Sequence, residues 1–429
     1  MTRKRYVIVG GSAAGMAAAE AIRGHDSLGE IRVLSQEADA PYFRPLIPYL
    51  VSGRKKTEEI LLQSRGPYRD QTIDVRLNTR VVRVDPGTRQ VHTAQGEAVA
   101  YDRLLIATGS RPLVPPDTRG LDIEGVMPLR TLADARRMAR RARQARQAVI
   151  LGAGLLGLKA AMALQHSGLD VTLVEKEAEI LPWLMEADAG GRIRNALQDA
   201  GVSVITSATI RRIQGDAGGV RDVVLDNGRE LVCQLVCIGI GVAPNTACLE
   251  NSGIRIDGGV VTDAHTACNA PHVYAAGDVA VTHDTLTGQP VVTGLWINAV
   301  EMGRCAGANM AGHPRVYGGT FGILNATQVA GLPFVAMGIV HTAGSDYETH
   351  ISSRSDAYRK LVFSARGDRL VGALFVGDIA RAGLYRALIG QDIQSGGIKR
   401  QAIAHRLHYG HLLLSKEKRA VRTGHPELR

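Results

Sequence analysis

A short apolar run, a glycine-rich turn and an apolar, alanine-containing stretch follow one another twice in this chain, and few folds accommodate that order twice. The first copy reads Tyr6-Val-Ile-Val-Gly10-Gly11-Ser12-Ala-Ala-Gly15, continues as an alanine-rich helix ending near Arg23, and is followed by the apolar run Ile31 to Leu34. The second reads Ala148-Val-Ile-Leu-Gly152-Ala-Gly154-Leu-Leu-Gly157, with a helix to about Ser167, Gly168 as its stop, and a strand from Val171 to Val174. Strand, turn, helix and strand within about thirty residues make the β-α-β unit that a dinucleotide site requires. Two copies predict two such sites.

The glycines have a physical reason. Backbone N–H groups at a helix start, aided by the helix dipole, hold a pyrophosphate only where no side chain blocks its approach. Gly152 and Gly154 with the helix-opening Leu155 and Leu156 form such a turn, and Gly157 lets the helix pack closely. In the first copy, Gly10, Ala14 and Gly15 are suitably small, and Ser12 replaces the middle glycine. The strand after the second turn ends in Glu175, whose carboxylate can accept from both ribose hydroxyls and repel a 2′-phosphate. This favours NAD(H) over NADPH, with Lys176 as the residue that would suit a phosphate. In the first copy the equivalent position is Ser35. Either Glu37 serves there from a shifted position or the ribose is held without a carboxylate.

At 429 residues, with 45% apolar residues and 49 glycines, the chain suits two or three α/β domains. Five cysteines (Cys233, Cys237, Cys248, Cys268, Cys305) form no C-x-x-C pair and no even framework, so neither disulfides nor a metal site is expected, and the compartment reads as reducing cytoplasm. Cys233 and Cys237 share one face of an apolar strand and read as core. Arg3-Lys4-Arg5 before an apolar run resembles a signal peptide, but the dinucleotide motif accounts for the same residues. No apolar stretch approaches the ~20 residues of a membrane span. A net charge of +10 favours acidic partners, whereas no aromatic-interleaved basic stripe points to nucleic acid. Asp134 to Gln147 reads as a basic, exposed helix, either a solvated face or a docking face. Near the C-terminus, strands at about Tyr358–Ser364 and Leu370–Val376 flank Arg366-Gly367-Asp368, a hairpin signal. His405 and His408 read as surface histidines.

Three further segments complete the pattern. They are Tyr101-Asp-Arg-Leu-Leu-Ile-Ala107-Thr108-Gly109-Ser-Arg-Pro112, Gly239-Ile-Gly241-Val-Ala-Pro244-Asn245 and Val273-Tyr-Ala-Ala-Gly277-Asp278. Their order and spacing resemble the two-dinucleotide-domain flavoproteins that include disulfide reductases, ferredoxin reductases and rubredoxin reductases, over residues 5 to 315. The resemblance implies an α/β fold with two Rossmann-like dinucleotide-binding domains and a C-terminal α+β interface domain. The FAD-binding domain would be discontinuous, at 1–115 and 248–316, with the NAD-binding domain at 116–247 and the interface domain at 317–429. It further implies that Ala107, Thr108 and Gly109 link the two nucleotide domains, with Gly239 and Gly241 beside the NAD site. Gly277 and Asp278 would hold the FAD ribityl chain, and Trp296 would open a helix beside the flavin.

Departures from the family narrow the activity. Disulfide reductases carry a redox-active cysteine in the N-terminal region, and here the first cysteine is Cys233. Instead, Pro41-Tyr42-Phe43-Arg44-Pro45-Leu46-Ile-Pro48-Tyr49 resembles the flavin-approaching Arg-Pro segment of rubredoxin, ferredoxin and nitrite reductases. A lysine and a glutamate that pair near the flavin in many relatives correspond to Tyr49 and Lys159. The expected activity is hydride exchange between NAD(H) and FAD, with single electrons passing to or from an iron-sulfur or rubredoxin-type protein. The chain would work alone or as the flavin subunit of a larger oxidoreductase, including those acting on aldehydes or 2-oxoacids, and would be an oligomer or complex subunit. The alternatives are an NADH oxidase and a non-catalytic flavoprotein sensor or scaffold.

Overall fold

The computed structural model describes residues 3–62, 73–342, 347–366, 369–391 and 397–411. It divides into two compact units, the first formed by 1–174, 208–284 and 289–320 and the second by 175–207, 285–288 and 321–429.

In the first unit the chain runs through β1 (Arg5–Val9), α1 (Ala13–His25), β2 (Glu30–Leu34), α2 (Ile47–Val51), β3 (Ile73–Arg76) and β4 (Arg103–Ile106). It continues through β5 (Val126–Pro128), α3 (Leu132–Ala142), β6 (Gln147–Leu151), α4 (Leu155–His166), β7 (Asp170–Val174), β8 (Leu235–Ile238), β9 (Val273–Ala275) and α5 (Trp296–Ala311). One parallel sheet has the order β9-β4-β1-β2-β3, so its edge strand comes from far beyond the second glycine motif. In the other, β6 pairs with β7 on one side and β8 on the other, and β8 pairs with β5, all parallel. Both are mixed α/β nucleotide folds of the expected kind. The central strands read as continuous apolar runs because they are covered on both faces.

Helices α1 and α5 cross at very short range. A Cβ on Gly303 would lie 2.2 Å from the carbonyl oxygen of Ala14, and one on Gly307 would lie 2.5 Å from that of Ala18. Only glycines four apart on α5 permit this approach, which carries α5 onto the helix that opens the first motif.

The basic helix differs from its expected span. Rather than Asp134–Gln147 it is Leu132–Ala142, because Thr131 and Asp134 close a reciprocal capping box two residues earlier and Arg143 ends it. Nor is it exposed all round, since Leu132, Ala135, Met138 and Ala142 are buried.

The second unit contains the helix Ala187–Asp199 and an antiparallel sheet made of β10 (Leu324–Val329), β11 (Leu332–Gly338), β12 (Glu348–Ser353), β13 (Tyr358–Phe363) and β14 (Leu370–Val376), in the order β10-β11-β14-β13-β12. β13 and β14 pair antiparallel as expected, while Gly367 and Asp368 of their turn lie outside the described residues. The helices α6 (Ala382–Leu388) and α7 (Ile398–Ile403) cover a core that includes Phe363, Phe375 and Tyr385. Lys360 is buried beneath Glu186 and also donates to the Val340 carbonyl at 2.9 Å. His405 is more than a surface histidine: its Nδ1 meets the Tyr385 hydroxyl at 3.0 Å and its Nε2 lies 3.6 Å from Asp378.

Candidate dinucleotide sites

The two glycine motifs fold into near-identical cradles. The Gly10 N–H donates to Leu34 O at 2.9 Å, and the Gly152 N–H to Val174 O at 2.8 Å, so each turn is hung from the neighbouring strand. A Cβ on Gly15 would sit 1.9 Å from Gly10 O, and one on Gly157 the same distance from Gly152 O. Gly10 (φ +117°) faces the Ala107 carbonyl just as Gly152 (φ +101°) faces that of Gly239, with hypothetical Cβ contacts of 2.0 and 2.5 Å. These four glycines are demanded by the protein's own backbone.

Gly154 is not. It caps α4 with φ −73° and ψ 176°, a conformation open to any residue, and a Cβ there would meet nothing within 4 Å. The space is left at a helix N-terminus, where anions are stabilised. A dinucleotide pyrophosphate fits this turn in the chemistry of its donors and in the room allowed. In the first cradle Ser12 takes the same N-cap place and makes no capping hydrogen bond with its side chain, so its hydroxymethyl does not close the turn.

Where the halves of the first unit cross, Thr108 and Asn245 bond reciprocally. The Thr108 hydroxyl donates to Asn245 O at 2.7 Å and the Asn245 amide to Thr108 O at 3.0 Å, while Gly109 O accepts from the Asn245 N–H at 2.9 Å. The strand Ser110–Pro112 then pairs antiparallel with Val242–Pro244, directly after Gly241.

Around Asp278 the structure gathers Ser110, which directly follows Gly109 in its motif, and Arg130, which no motif marks. Asp278 Oδ2 accepts from the Ser110 hydroxyl and from Arg130 Nη2, each at 2.8 Å. Oδ1 makes no hydrogen bond with a described residue, and neither do Arg130 Nε and Nη1. A carboxylate oxygen and a partly used guanidinium are the complement of a polyol carrying phosphates, which is the ribityl diphosphate portion of FAD. Arg130 and Ser110 were missed from the sequence. Arg130 did carry a signal, because it stands between the carboxyl end of a parallel strand and a capped helix start, where ligands bind in open α/β sheets.

Arg130 is tied to the Arg-Pro segment. Its carbonyl accepts from Arg44 Nη1 at 2.8 Å, and Arg44 Nη2 bonds Glu37 at 2.6 Å. The Tyr42 hydroxyl donates to the other Glu37 oxygen at 2.6 Å and accepts from the Leu132 N–H at 3.0 Å. Burial works against the Arg44 charge, yet Tyr42 and Glu37 outweigh it and hold the guanidinium above its ordinary value. Arg44 thus ties its loop to Glu37 on one side and to the Arg130 backbone on the other, and Pro45 is the middle residue of the short turn Arg44–Leu46 that leads into α2. Ser35 is buried against Gly11.

Gly277 adopts φ +81° beside Ala14, which brings the Asp278 segment against α1. Trp296 opens α5 and packs on Phe43, ring centroids 5.3 Å apart. Two hydrogen bonds from one side chain fix that helix start: buried Asn298 donates to Thr293 at 3.1 Å and to Thr320 at 2.9 Å. Tyr49 lies on α2 and Lys159 in the second turn of α4, two helices that pack together. Burial holds the Lys159 ammonium below its usual pKa. Glu175, the first residue of the second unit, is buried and accepts from the Glu177 N–H at 3.0 Å.

None of the cysteines is poised for chemistry. Burial pushes Cys233, Cys237 and Cys268 up to about 12 and Cys248 up to about 11, and raises Cys305 as well. Among the described residues no group of three or more histidine, cysteine or carboxylate side chains could hold a metal ion, and no helix is long and apolar enough to cross a membrane.

Paired nucleotide cradles on parallel sheets define the class of two-dinucleotide oxidoreductases. Residues 4–303 match the pyridine nucleotide-disulphide oxidoreductase family, and the chain belongs to it, which makes it an oxidoreductase of a class built around FAD and a nicotinamide dinucleotide. It is 31% identical over 415 residues, covering 96% of this chain and 97% of the relative, to subunit epsilon of the NADH-dependent phenylglyoxylate dehydrogenase of Aromatoleum evansii. It is 30% identical over 309 residues to the rubredoxin-NAD(+) reductase of Pseudomonas putida, covering 71% and 80% of the two chains. Among solved structures, the NAD-dependent persulfide reductase of A. fulgidus superposes with a TM-score of 0.85 at 25% identity, covering 98% of this chain and 84% of that one.

Proposed function

We propose that the chain exchanges electrons between NAD(H) and an iron-sulfur or rubredoxin-type protein, as a free reductase or as the flavin subunit of a larger oxidoreductase. The observation that carries this reading is the placement of the thiols. Burial raises the pKa of every cysteine and none lies in the N-terminal 232 residues, so a bound flavin rather than a disulfide would supply the route for electrons. Bound flavin supplies hydride chemistry on one side and single-electron chemistry on the other.

The chain's own residues bind and orient. The first cradle (Gly10, Ser12, Ala14, Gly15) receives the FAD pyrophosphate on the N–H groups that open α1, with Arg130 as its cation. Asp278 accepts from the ribityl hydroxyls, and Ser110 keeps the other carboxylate oxygen occupied. Ala107, Thr108 and Gly109 hold the crossing, while Trp296 and the pinned start of α5 border the flavin. The second cradle (Gly152, Gly154, Leu155, Leu156, with Gly239 and Gly241) receives the nicotinamide dinucleotide, and Glu175 selects NADH over NADPH. Lys159 and Tyr49 line the approach to the rings. The domain division is 1–115 with 248–316 for FAD, 116–247 for NAD and 317–429 for an interface. Both relatives named above, one a dehydrogenase subunit and one a rubredoxin reductase, support this reading.

The test is anaerobic. NADH should bleach the visible absorbance of the bound oxidised flavin quickly and NADPH slowly, and an added ferredoxin or rubredoxin should restore the oxidised spectrum. Rapid recolouring by oxygen alone, with neither protein acting as an acceptor, would make the chain an NADH oxidase. No bleaching by either nucleotide would make it a sensor or scaffold.

A further inference from the structure

Helix α3 carries a charge that the fold does not use. Its core face is Leu132, Ala135, Met138 and Ala142, which leaves Arg136, Arg137 and Arg140 on the outer surface, with Arg143 as the C-cap and Arg146 just beyond. Asp134, the only acid in the helix, is committed to the capping box, where it accepts from the N–H groups of Arg130 and Thr131 at 3.1 and 2.9 Å. Arg136 reaches Asp39 at 2.7 Å, and Arg137 stands 3.5 Å from Asp134. Arg141 turns back into the protein, donating to Gln234 O at 2.9 Å and Gly218 O at 3.0 Å. Arg140, Arg143 and Arg146 are exposed and meet no carboxylate among the described residues.

This arrangement opposes helix stability. Arg136 and Arg140 are four apart, Arg137 and Arg140 three apart and Arg140 and Arg143 three apart, spacings at which like charges destabilise a helix. The last-turn positions of Arg140 and Arg141 recover part of that through the helix dipole. Yet the scaffold beneath is rigid, capped at one end and clamped by the Arg141 fork at the other. Guanidinium groups on a fixed helix form a surface ready to meet carboxylates in forked pairs. No aromatic side chain interleaves with them, so base stacking has no platform there.

The geometry points to α3 and its C-terminal extension as the docking face for the acidic surface of an iron-sulfur protein partner. Arg140, Arg143 and Arg146 are its free cations, and Arg141 positions the helix. This rests on the electron-exchange function proposed above and names the surface that serves it. The surface steers and anchors the partner and leaves the nucleotide chemistry alone, because its free cations lie beyond Arg130 at the far end of the helix.

The experiment compares the FAD-loaded full chain with the triple variants R140E/R143E/R146E and R140Q/R143Q/R146Q. The electron acceptors are an acidic [2Fe–2S] ferredoxin and, separately, ferricyanide, each with NADH as donor. The expected result is a KM for ferredoxin raised about tenfold or more in the Glu variant and less in the Gln variant. The wild-type dependence on salt should flatten in both, with ferricyanide rates unchanged. An unchanged ferredoxin KM in both variants would overturn the docking face while leaving the electron-exchange function standing. If wild-type protein bleaches with NADH but reduces neither ferredoxin nor rubredoxin, the proposed function fails and the docking face fails with it. Binding of a labelled DNA duplex, lost in the Gln variant and tighter than ferredoxin at equal salt, would reassign the surface to nucleic acid.

Discussion

Arg130 and Asp278 stand 148 residues apart in the chain and meet at 2.8 Å, with the Ser110 hydroxyl 2.7 Å from the same guanidinium nitrogen. Each comes from the carboxyl end of a different parallel strand. Their pairing explains how two sheets are brought to bear on one site. Asp278→Ala is expected to lose bound FAD, and Arg130→Ala to weaken it while lowering the stability of the flavin-free chain by about 1–3 kcal/mol. Flavin content after purification and thermal melting measure both. Normal flavin occupancy and normal reduction in Asp278→Ala would remove Asp278 from the cofactor site.

Gly154 offers the opposite experiment, because the protein leaves its Cβ position open. Gly154→Val should fold and keep its FAD, with stability lowered only by about 1 kcal/mol, the cost of valine at a helix N-cap. Reduction by NADH should fall about a hundredfold in kcat/KM, near 2.7 kcal/mol of lost transition-state stabilisation. Loss of flavin in this variant would mean that the two cradles have been assigned the wrong way round.

Glu175 sets the expected choice of nucleotide. Wild-type protein should favour NADH over NADPH by about tenfold or more in kcat/KM, and Glu175→Gln should narrow that ratio by weakening NADH and admitting the 2′-phosphate. Stopped-flow reduction with each nucleotide gives the ratio. Equal rates in the wild type would mean that Lys176, not Glu175, governs the pocket.

The thiols predict a pH dependence. Their folded pKa values are raised above the ~8.5 of an unfolded cysteine, so the folded chain retains protons that the unfolded chain releases. Their contribution to stability is fully present below about pH 8.5 and is lost as pH climbs toward 11 to 12. Melting temperature should therefore fall steadily above about pH 9. A thiol reagent at neutral pH should label the native chain slowly and the denatured chain at all five cysteines. Fast labelling of one native cysteine would reopen thiol chemistry.

The repeated strand-turn-helix units were legible in sequence because each is local: apolar run, glycine turn and helix lie within a few residues of one another. So were the buried character of Cys233 and Cys237 and the β13–β14 pairing. The basic helix was placed too late because its charges, extending to Arg146, outlast its hydrogen bonds, and because the capping pair Thr131 and Asp134 was overlooked. Arg130 and Ser110 escaped notice because their significance is non-local, created only when Asp278 folds back onto them. Glu37 was one of two readings for the first ribose, the other being a ribose held without a carboxylate, and its contacts with Tyr42 and Arg44 form only in three dimensions.

The edge strand β9, the Asp278 turn and the glycine-lined face of α5 all arrive after residue 272, yet they complete a sheet begun at Arg5. During synthesis at about 5–20 residues per second, the N-terminal half must wait many seconds on the ribosome with that sheet edge unpaired and the α1 face uncovered. If Asp278 and α5 hold the flavin as proposed, its capture is a late event in the life of the nascent chain. A truncated chain ending before α5 would be expected to need a chaperone rather than a cofactor.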